Sequence, residues 1–164
     1  RLQGVQDIAS RMGLTSVVAV HNDGTQVPGE ARFDRVLVDA PCTGEGTSRK
    51  SGGEGAPQRR AEWHKLASLQ KGLLRRAVEL TRPGGVIVYS TCTYAPEENE
   101  AVLNAIYPEK AAIEPLALPE GVHVAPGVTA WEGQHFRPDV ANAIRFWPHL
   151  NDTGGFFVAR LRRL

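Results

Sequence analysis

Cysteines and long apolar runs are scarce in this sequence, and each scarcity argues against a class of protein. Two cysteines in 164 residues are too few for the disulfide framework of a small secreted domain. No apolar run approaches the roughly 20 residues of a transmembrane helix, and the N-terminal stretch lacks the apolar core of a signal peptide. The five histidines and two cysteines show no metal-ligand spacing. We therefore expect a cytoplasmic protein with reduced thiols, with neither a membrane nor a metal as partner.

The net charge does not indicate which partners the protein binds, whereas the N-terminal residues do indicate local structure. A net charge of +1 neither favours nor excludes nucleic acid as a partner, because local patches can hide in a balanced total. The chain has no initiator methionine and opens inside a predicted amphipathic helix, with Leu2, Val5, Ile8 and Met12 near one face and Gly13 at its end. We therefore expect residues 1–164 to be part of a longer chain.

Two short apolar strands each lead into a cysteine. The stretch Phe33–Gly46, FDRVLVDAPCTGEG, contains Asp39 and Cys42, and Gly85–Tyr94, GVIVYSTCTY, contains Cys92. Apolar runs of this length bounded by turn residues predict buried strands. In an open α/β sheet the ligand crevice lies beyond the carboxyl ends of the strands. If the two strands are neighbours, both thiols line one crevice.

Alternating strands and helices predict an α/β fold with parallel pairs joined by right-handed crossovers. An aromatic C-terminal strand reached from another short strand is suited to an antiparallel hairpin at the sheet edge. The predicted strands are 16–20, 35–39, 86–90, 112–118, 143–147 and 155–161; the predicted helices are 1–13, 62–82 and 96–106; and 121–139 is predicted to be an irregular insertion.

The residues alone leave several interpretations open. The two cysteines suit a redox pair, buried structural thiols or a nucleophilic site, and the last is favoured because no CxxC motif is present. Asp23 is as consistent with an ordinary turn as with a ligand contact. The loop 44–60 is typical of a mobile surface loop, but its Arg49 and Lys50 lie near the predicted crevice and suit a phosphate backbone.

Paired motifs carry a specific resemblance. DAPCTGEG at 39–46 and YSTCTYAPEENE at 89–100 resemble the two cysteine signatures of the Nop/Sun family of RNA 5-methylcytosine methyltransferases. The RPGG that ends the long helix, the RFWPH run at 145–149 and the closing GGFFVARL are also similar. The resemblance implies a Rossmann-like class I methyltransferase, a three-layer α/β sandwich whose mostly parallel sheet has an antiparallel C-terminal strand. Residues 1–164 would be the C-terminal portion of a single domain, lacking its first two strands.

The family's roles transfer to matching positions. Cys92 is expected to be the nucleophile that adds to C6 of cytosine, which makes C5 reactive enough to attack a methyl group. Asp39 is expected to hydrogen-bond N3, Pro41 to shape the base pocket, and Cys42 to assist loss of the C5 proton and release of Cys92. The order of the two cysteines comes from the resemblance and not from their spacing.

The resemblance also implies S-adenosylmethionine as cofactor, held by Asp23, Asp39 and Pro41, and rRNA or tRNA as substrate. The expected substrate contacts are Pro41, Thr91, Arg49 and Lys50, although packing is an equally ordinary role for Thr91. The longer enzyme is expected to be a monomer. The family's glycine-rich cofactor loop and ribose-binding acid are expected upstream, so that residues 1–164 alone should be inactive.

Two other functions stay open at this stage. One is a non-catalytic RNA-binding or scaffold fragment that has lost cofactor binding, although such a module has no need of Asp39, Cys42 and Cys92 together. The other is methylation of DNA cytosine or of a protein. The paired cysteines argue against a protein target, and the family resemblance argues against DNA.

Overall fold

The computed structural model describes residues 2–50 and 60–164. In chain order its elements are α1 (Leu2–Arg11), β1 (Phe33–Asp39), a 3-10 helix (Glu45–Lys50), α2 (Arg60–Leu80), β2 (Thr81–Thr91), α3 (Glu100–Asn104), β3 (Ala111–Glu114), β4 (Ala125–Pro126), β5 (Ala130–Trp131), β6 (Gln134–His135), a second 3-10 helix (Pro138–Asn142), β7 (Ile144–Phe146), α4 (Pro148–Asn151) and β8 (Phe156–Arg163). None of the helices described is long and apolar enough to cross a membrane.

The C-terminal strand β8 lies inside a six-stranded sheet. Its order is β1-β2-β8-β7-β4, with β3 also paired to β8. The β1–β2 pair is parallel, and β8 runs antiparallel to β2, β3 and β7. The α/β class and the antiparallel C-terminal strand are thus confirmed, but antiparallel pairs outnumber the parallel pair within the described residues. The strand is interior and not at the edge because Phe157, Ala159 and Leu161 are fully buried.

The core lies between this sheet and α2. Alternate residues of a strand point to one face, and Ile87, Tyr89 and Phe157 project from neighbouring strands into the same buried cluster. Leu74 and Ala77 enter it from α2. On the other face Leu37 is 68% exposed, and α1 has no buried residue. The described residues therefore form two of the three predicted layers.

Three sequence predictions differ from the structure. Residues 16–20 form no strand, and their apolar side chains stay largely exposed, Val18 to 83%. The helix predicted over 96–106 is confined to α3, because Pro96–Asn99 is folded as turns whose side chains bond elsewhere. The insertion predicted over 121–139 contains the β5–β6 hairpin and a short strand, β4, that joins the main sheet.

A buried ion pair ties the strand β7 to the segment that follows β2. Arg145 Nε and Nη2 donate to the two carboxylate oxygens of Glu100 at 2.6 and 2.5 Å. The third guanidinium nitrogen, Nη1, donates to the Tyr94 carbonyl at 3.0 Å, and the Val128 amide donates to Glu100. Tyr94 in turn stacks on Trp147 with ring centroids 4.9 Å apart. The pair thereby holds the chain just beyond Cys92.

We predict that Arg145→Met lowers the free energy of unfolding by about 3–5 kcal/mol, because it leaves the Glu100 carboxylate buried without its cation. Urea unfolding of the protein measures the loss. Arg82→Met is the matched control, since the Arg82–Asp34 pair is exposed and worth about 0–1 kcal/mol. Equal losses in the two variants would contradict the prediction.

Candidate active site

The register of the parallel pair brings two polar strand ends together. Asp39 of β1 lies opposite Ser90 of β2, and the Ala40 amide extends the pairing by donating to the Ser90 carbonyl at 2.9 Å. The Ser90 hydroxyl donates to Asp39 Oδ1, also at 2.9 Å. Asp39 is otherwise exposed, so its carboxylate is fixed by one neighbour and open to a ligand.

The two cysteines are in contact. Their Sγ atoms lie 3.3 Å apart, and the Cys92 amide donates to Cys42 Sγ at 3.3 Å. Both are free thiols and half-buried. The two thiols thus meet beyond neighbouring strands, as predicted, although Cys92 alone of the pair lines the cavity described below.

The two thiols differ in their electrostatic surroundings. The pKa of Cys42 is raised from 9.0 to about 12, chiefly by burial and to a lesser extent by the adjacent Cys92 sulfur, which acts as a hydrogen-bond partner and as a like charge. The hydrogen bond from the Cys92 amide acts in the opposite direction and is outweighed. Cys42 therefore keeps its proton at neutral pH and can donate its S–H to Cys92 Sγ.

Cys92 opens onto a cavity of about 460 Å³, a size typical of small-ligand sites. The other lining residues come from the 3-10 helix after β1 and from the loop that enters β8: Gly46, Thr47, Asp152, Thr153, Gly154, Gly155 and Phe156.

Two glycines make the floor of this cavity possible. The Gly46 amide donates to the Cys92 carbonyl at 2.8 Å, and the Gly155 amide donates to the Gly46 carbonyl at 2.9 Å. A Cβ on Gly46 would lie 2.2 Å from the Gly155 oxygen, and one on Gly155 would lie 2.1 Å from the Tyr94 ring. Only glycine allows these three segments to approach so closely.

A second cavity, of about 270 Å³, adjoins Asp39 on the side of the preceding loop. Its lining is mostly apolar: Gly24, Val27, Val36, Leu37, Val38, Leu73, Ala77 and Leu80. Asp23 precedes Gly24 and accepts hydrogen bonds from the amide and hydroxyl of Thr25, which lower the pKa of its carboxyl group. Asp23 thus makes the predicted turn, and its contact with a ligand stays a prediction.

The remaining predicted residues fall into two groups. Pro41 is exposed between Asp39 and Cys42, whereas Thr91 is buried and donates to Asn99 Oδ1 at 2.6 Å. Thr91 therefore makes an internal hydrogen bond, and its contact with the substrate stays a prediction. The backbones of Arg49 and Lys50 belong to the 3-10 helix, but their side chains lie outside the part of the chain described, and their contact with phosphate stays a prediction.

Sequence reasoning missed the buried polar residues behind the cysteines. Glu98 accepts from the amide and hydroxyl of Thr43 at 3.1 and 2.5 Å, and from Gln70 Nε2 at 2.8 Å. Asn99 binds Thr91 and the Thr93 carbonyl. The signal was the PEENE run within the second motif, whose acids resemble an ordinary helix N-terminus.

The ranges 2–50 and 60–164 contain no cluster of metal-ligating side chains. No group of three or more His, Cys, Asp or Glu side chains in them is placed to hold a metal ion. The site is thus built from two thiols, one exposed carboxylate and buried neutral donors.

Comparison with known proteins places this site in a family context. A family model described as 16S rRNA methyltransferase RsmB/F matches residues 1–162. The chain is 36% identical over 161 residues to "Ribosomal RNA small subunit methyltransferase F" of Erwinia tasmaniensis, covering 94% of this chain and 31% of that protein. It is 38% identical over 135 residues to "tRNA (cytosine(49)-C(5))-methyltransferase" of Pyrococcus abyssi, covering 82% and 43%.

The structural comparison agrees. A methyltransferase homologue from Pyrococcus horikoshii superposes with a TM-score of 0.81 at 31% identity, over 99% of this chain and 50% of that one. The expected Rossmann-like methyltransferase fold is confirmed by this likeness. The chain spans less than half the length of the two curated relatives described above.

We predict that iodoacetamide alkylates Cys92 before Cys42 in the folded protein at neutral pH, because Cys42 keeps its proton. In Cys92→Ser, burial still holds the pKa of Cys42 above 9.0, so its alkylation should be at least about tenfold slower than in denatured protein and should accelerate as pH rises past 9.0. Peptide mass spectrometry measures both rates. Equal labelling of the two thiols would contradict this assignment.

Proposed function

Because the chain belongs to the 16S rRNA methyltransferase RsmB/F family, we propose that it carries the catalytic cysteines of an S-adenosylmethionine-dependent RNA (cytosine-5-)methyltransferase. The observation that carries the proposal is the contact between Cys42 Sγ and Cys92 Sγ, 3.3 Å apart just beyond the paired strand ends Asp39 and Ser90. The substrate is rRNA or tRNA, as the names of the relatives suggest.

The first step is addition of Cys92 to the base. Cys92 loses its thiol proton to solvent and forms a bond to C6 of cytosine, while the C5–C6 π electrons move to C4–C5 and the C4–N3 π electrons move to N3. A proton taken up from solvent is then shared between N3 and the Asp39 carboxylate, which stabilises the charge that develops at N3. The Ser90 hydroxyl keeps this carboxylate in place. The Cys42 S–H supports the attacking thiolate until the new bond forms.

The second step is methyl transfer to C5, which the addition has made nucleophilic. S-adenosylmethionine supplies the methyl group when bound. The cavity of about 270 Å³ fits part of this cofactor, because its apolar wall, Val27, Val36 and Leu73 included, suits the face of a purine. Asp39 and Asp23 lie at or beside this cavity and would provide its polar contacts.

The third step releases the product. A base removes the C5 proton, the C–H electrons restore the C5–C6 double bond, and Cys92 leaves as a thiolate. Cys42 is the base nearest to Cys92. The like charge of the Cys92 sulfur, one of the lesser causes that raise the pKa of Cys42, is lost when that sulfur becomes a thioether. Burial still raises the pKa of Cys42 in the adduct, so Cys42 must give its own proton to water before it accepts the C5 proton.

We predict opposite phenotypes for the two cysteine variants of the natural protein. Cys92→Ala should lower methyl transfer by on the order of 10⁴-fold or more, since the nucleophile is lost. Cys42→Ala should still add to RNA and transfer the methyl group once, and then accumulate a protein–RNA adduct. Methylation with labelled S-adenosylmethionine and denaturing gels measure the two outcomes.

Tyr107→Phe is the control, because Tyr107 is exposed on a different part of the molecule and should behave as wild type. Full activity in both cysteine variants would refute the mechanism. An adduct that accumulates in Cys92→Ala instead of Cys42→Ala would reverse the order of the two thiols.

A further inference from the structure

We propose that Glu98 and Asn99 are positioning residues that set the distance between the two thiols, Glu98 through the Cys42 loop and Asn99 through the Cys92 loop. The inference rests on the proposed function. Its starting point is that two consecutive, fully buried polar residues bond to different loops of one site. Neither residue touches a cysteine side chain in any hydrogen bond described above, so both act through the residues next to the cysteines.

Glu98 and Gln70 form hydrogen bonds with the backbone on both sides of Cys42. On one side the Thr43 amide donates to Glu98 Oε2 at 3.1 Å, and on the other Gln70 Nε2 donates to the Pro41 carbonyl at 2.8 Å. The same Gln70 nitrogen donates to Glu98 at 2.8 Å, which closes the arrangement. Cys42 is thus held at its preceding carbonyl and at its following amide.

Asn99 binds the residues on both sides of Cys92, one through its side chain and one through its backbone. Its Oδ1 accepts from the Thr91 hydroxyl at 2.6 Å, and its Nδ2 donates to the Thr93 carbonyl at 3.0 Å. An amide suits this place because it offers an acceptor and a donor at once. A carboxylate or a methyl group could satisfy only one of the two neighbours, or neither.

The backbone of the segment that carries Glu98 and Asn99 is itself fixed. The buried Tyr89 hydroxyl donates to the Glu98 carbonyl at 2.6 Å, and the following residue, Glu100, is bound to Arg145. Tyr89 belongs to β2, the strand that leads to Cys92. One short segment anchored to the core therefore fixes both cysteine loops, in addition to the hydrogen bond from the Gly46 amide to the Cys92 carbonyl that joins them directly. Hydrogen bonds in such buried surroundings are costly to leave unmade.

Loss of the hydrogen bonds to the Cys42 loop and loss of those to the Cys92 loop should cause different kinetic defects. Displacing Cys42 should impair the release step, in which Cys42 acts as base, and spare addition. Displacing Cys92 should impair addition itself. A role in stability alone would slow both steps together, so the ratio of the two rates separates positioning from folding.

Glu98→Gln tests the hydrogen bonds between Glu98 and the Cys42 loop. The amide nitrogen that replaces one oxygen cannot accept a hydrogen bond from Thr43 or from Gln70. We expect the rate of first-turnover methyl transfer to stay within about threefold of wild type. We expect release to be slowed by on the order of 10- to 100-fold, because displacing a reacting group by about 1 Å lowers the rate by that much. The adduct should then accumulate on denaturing gels, as in Cys42→Ala.

Asn99→Asp tests the hydrogen bonds between Asn99 and the Cys92 loop. It keeps the acceptor for Thr91 but places a carboxylate oxygen against the Thr93 carbonyl. We expect first-turnover adduct formation to fall by on the order of 10- to 100-fold, with no accumulation of adduct, because addition becomes the slow step. The control is Glu97→Gln, in the same segment, where Glu97 accepts from the Trp131 indole at the surface. It should match wild type in both rates.

The outcomes decide the inference. Equal slowing of addition and release in either variant, or wild-type rates in both, would overturn it. If Glu98→Gln does not fold, Gln70→Met decides instead, since it removes the donor to the Pro41 carbonyl and to Glu98 without altering a hydrogen bond of the Cys92 loop. Absence of methyl transfer in the wild-type protein, or full activity of Cys92→Ala, would defeat the proposed function, a result distinct from either failure above.

Discussion

The parallel pairing of β1 with β2 is the constraint on which the rest of the site depends. Its register sets Asp39 opposite Ser90, so the two chains leave the sheet side by side and their next cysteines meet. A shift of one residue would turn every side chain of β1 to the other face. Asp39 would then lose Ser90, and the core would lose Val38. Core packing and site geometry thus enforce the same register.

Beyond the strand ends, the site is held by polar contacts and not by apolar packing. Glu98, Asn99 and Glu100 follow one another along the chain, and all three are fully buried. Each satisfies a different neighbour: the loop of Cys42, the loop of Cys92 and Arg145 of β7. Burial of so many polar atoms is unfavourable unless every partner is present. The segment can therefore adopt few other arrangements, which suits loops that must hold two thiols in register.

The sequence was most informative where a short-range pattern and the tertiary structure agree. The strand at 33–39 and the long helix are recognisable because their apolar spacing matches the faces they bury. Residues 16–20 show the same apolar pattern but pair with no strand among the described residues. The pattern of a segment alone does not show whether a neighbouring strand is available for pairing. The roles of Glu98 and Gln70 were missed for a related reason. Their partners lie 28 to 55 residues away, beyond any local signal.

The structure adds a physical distinction between two thiols that sequence spacing leaves equivalent. Cys92 lines the cavity that could admit a base, whereas Cys42 is gripped on both sides by buried side chains, and burial holds its proton in place. A nucleophile needs access and a free electron pair, while a group that first donates and later accepts a proton needs a pKa that responds to the reaction. The Cys92 sulfur no longer acts as a like charge once it is a thioether, although the burial of Cys42 remains. The 3.3 Å contact thus keeps the nucleophile and the group that exchanges protons side by side throughout the cycle.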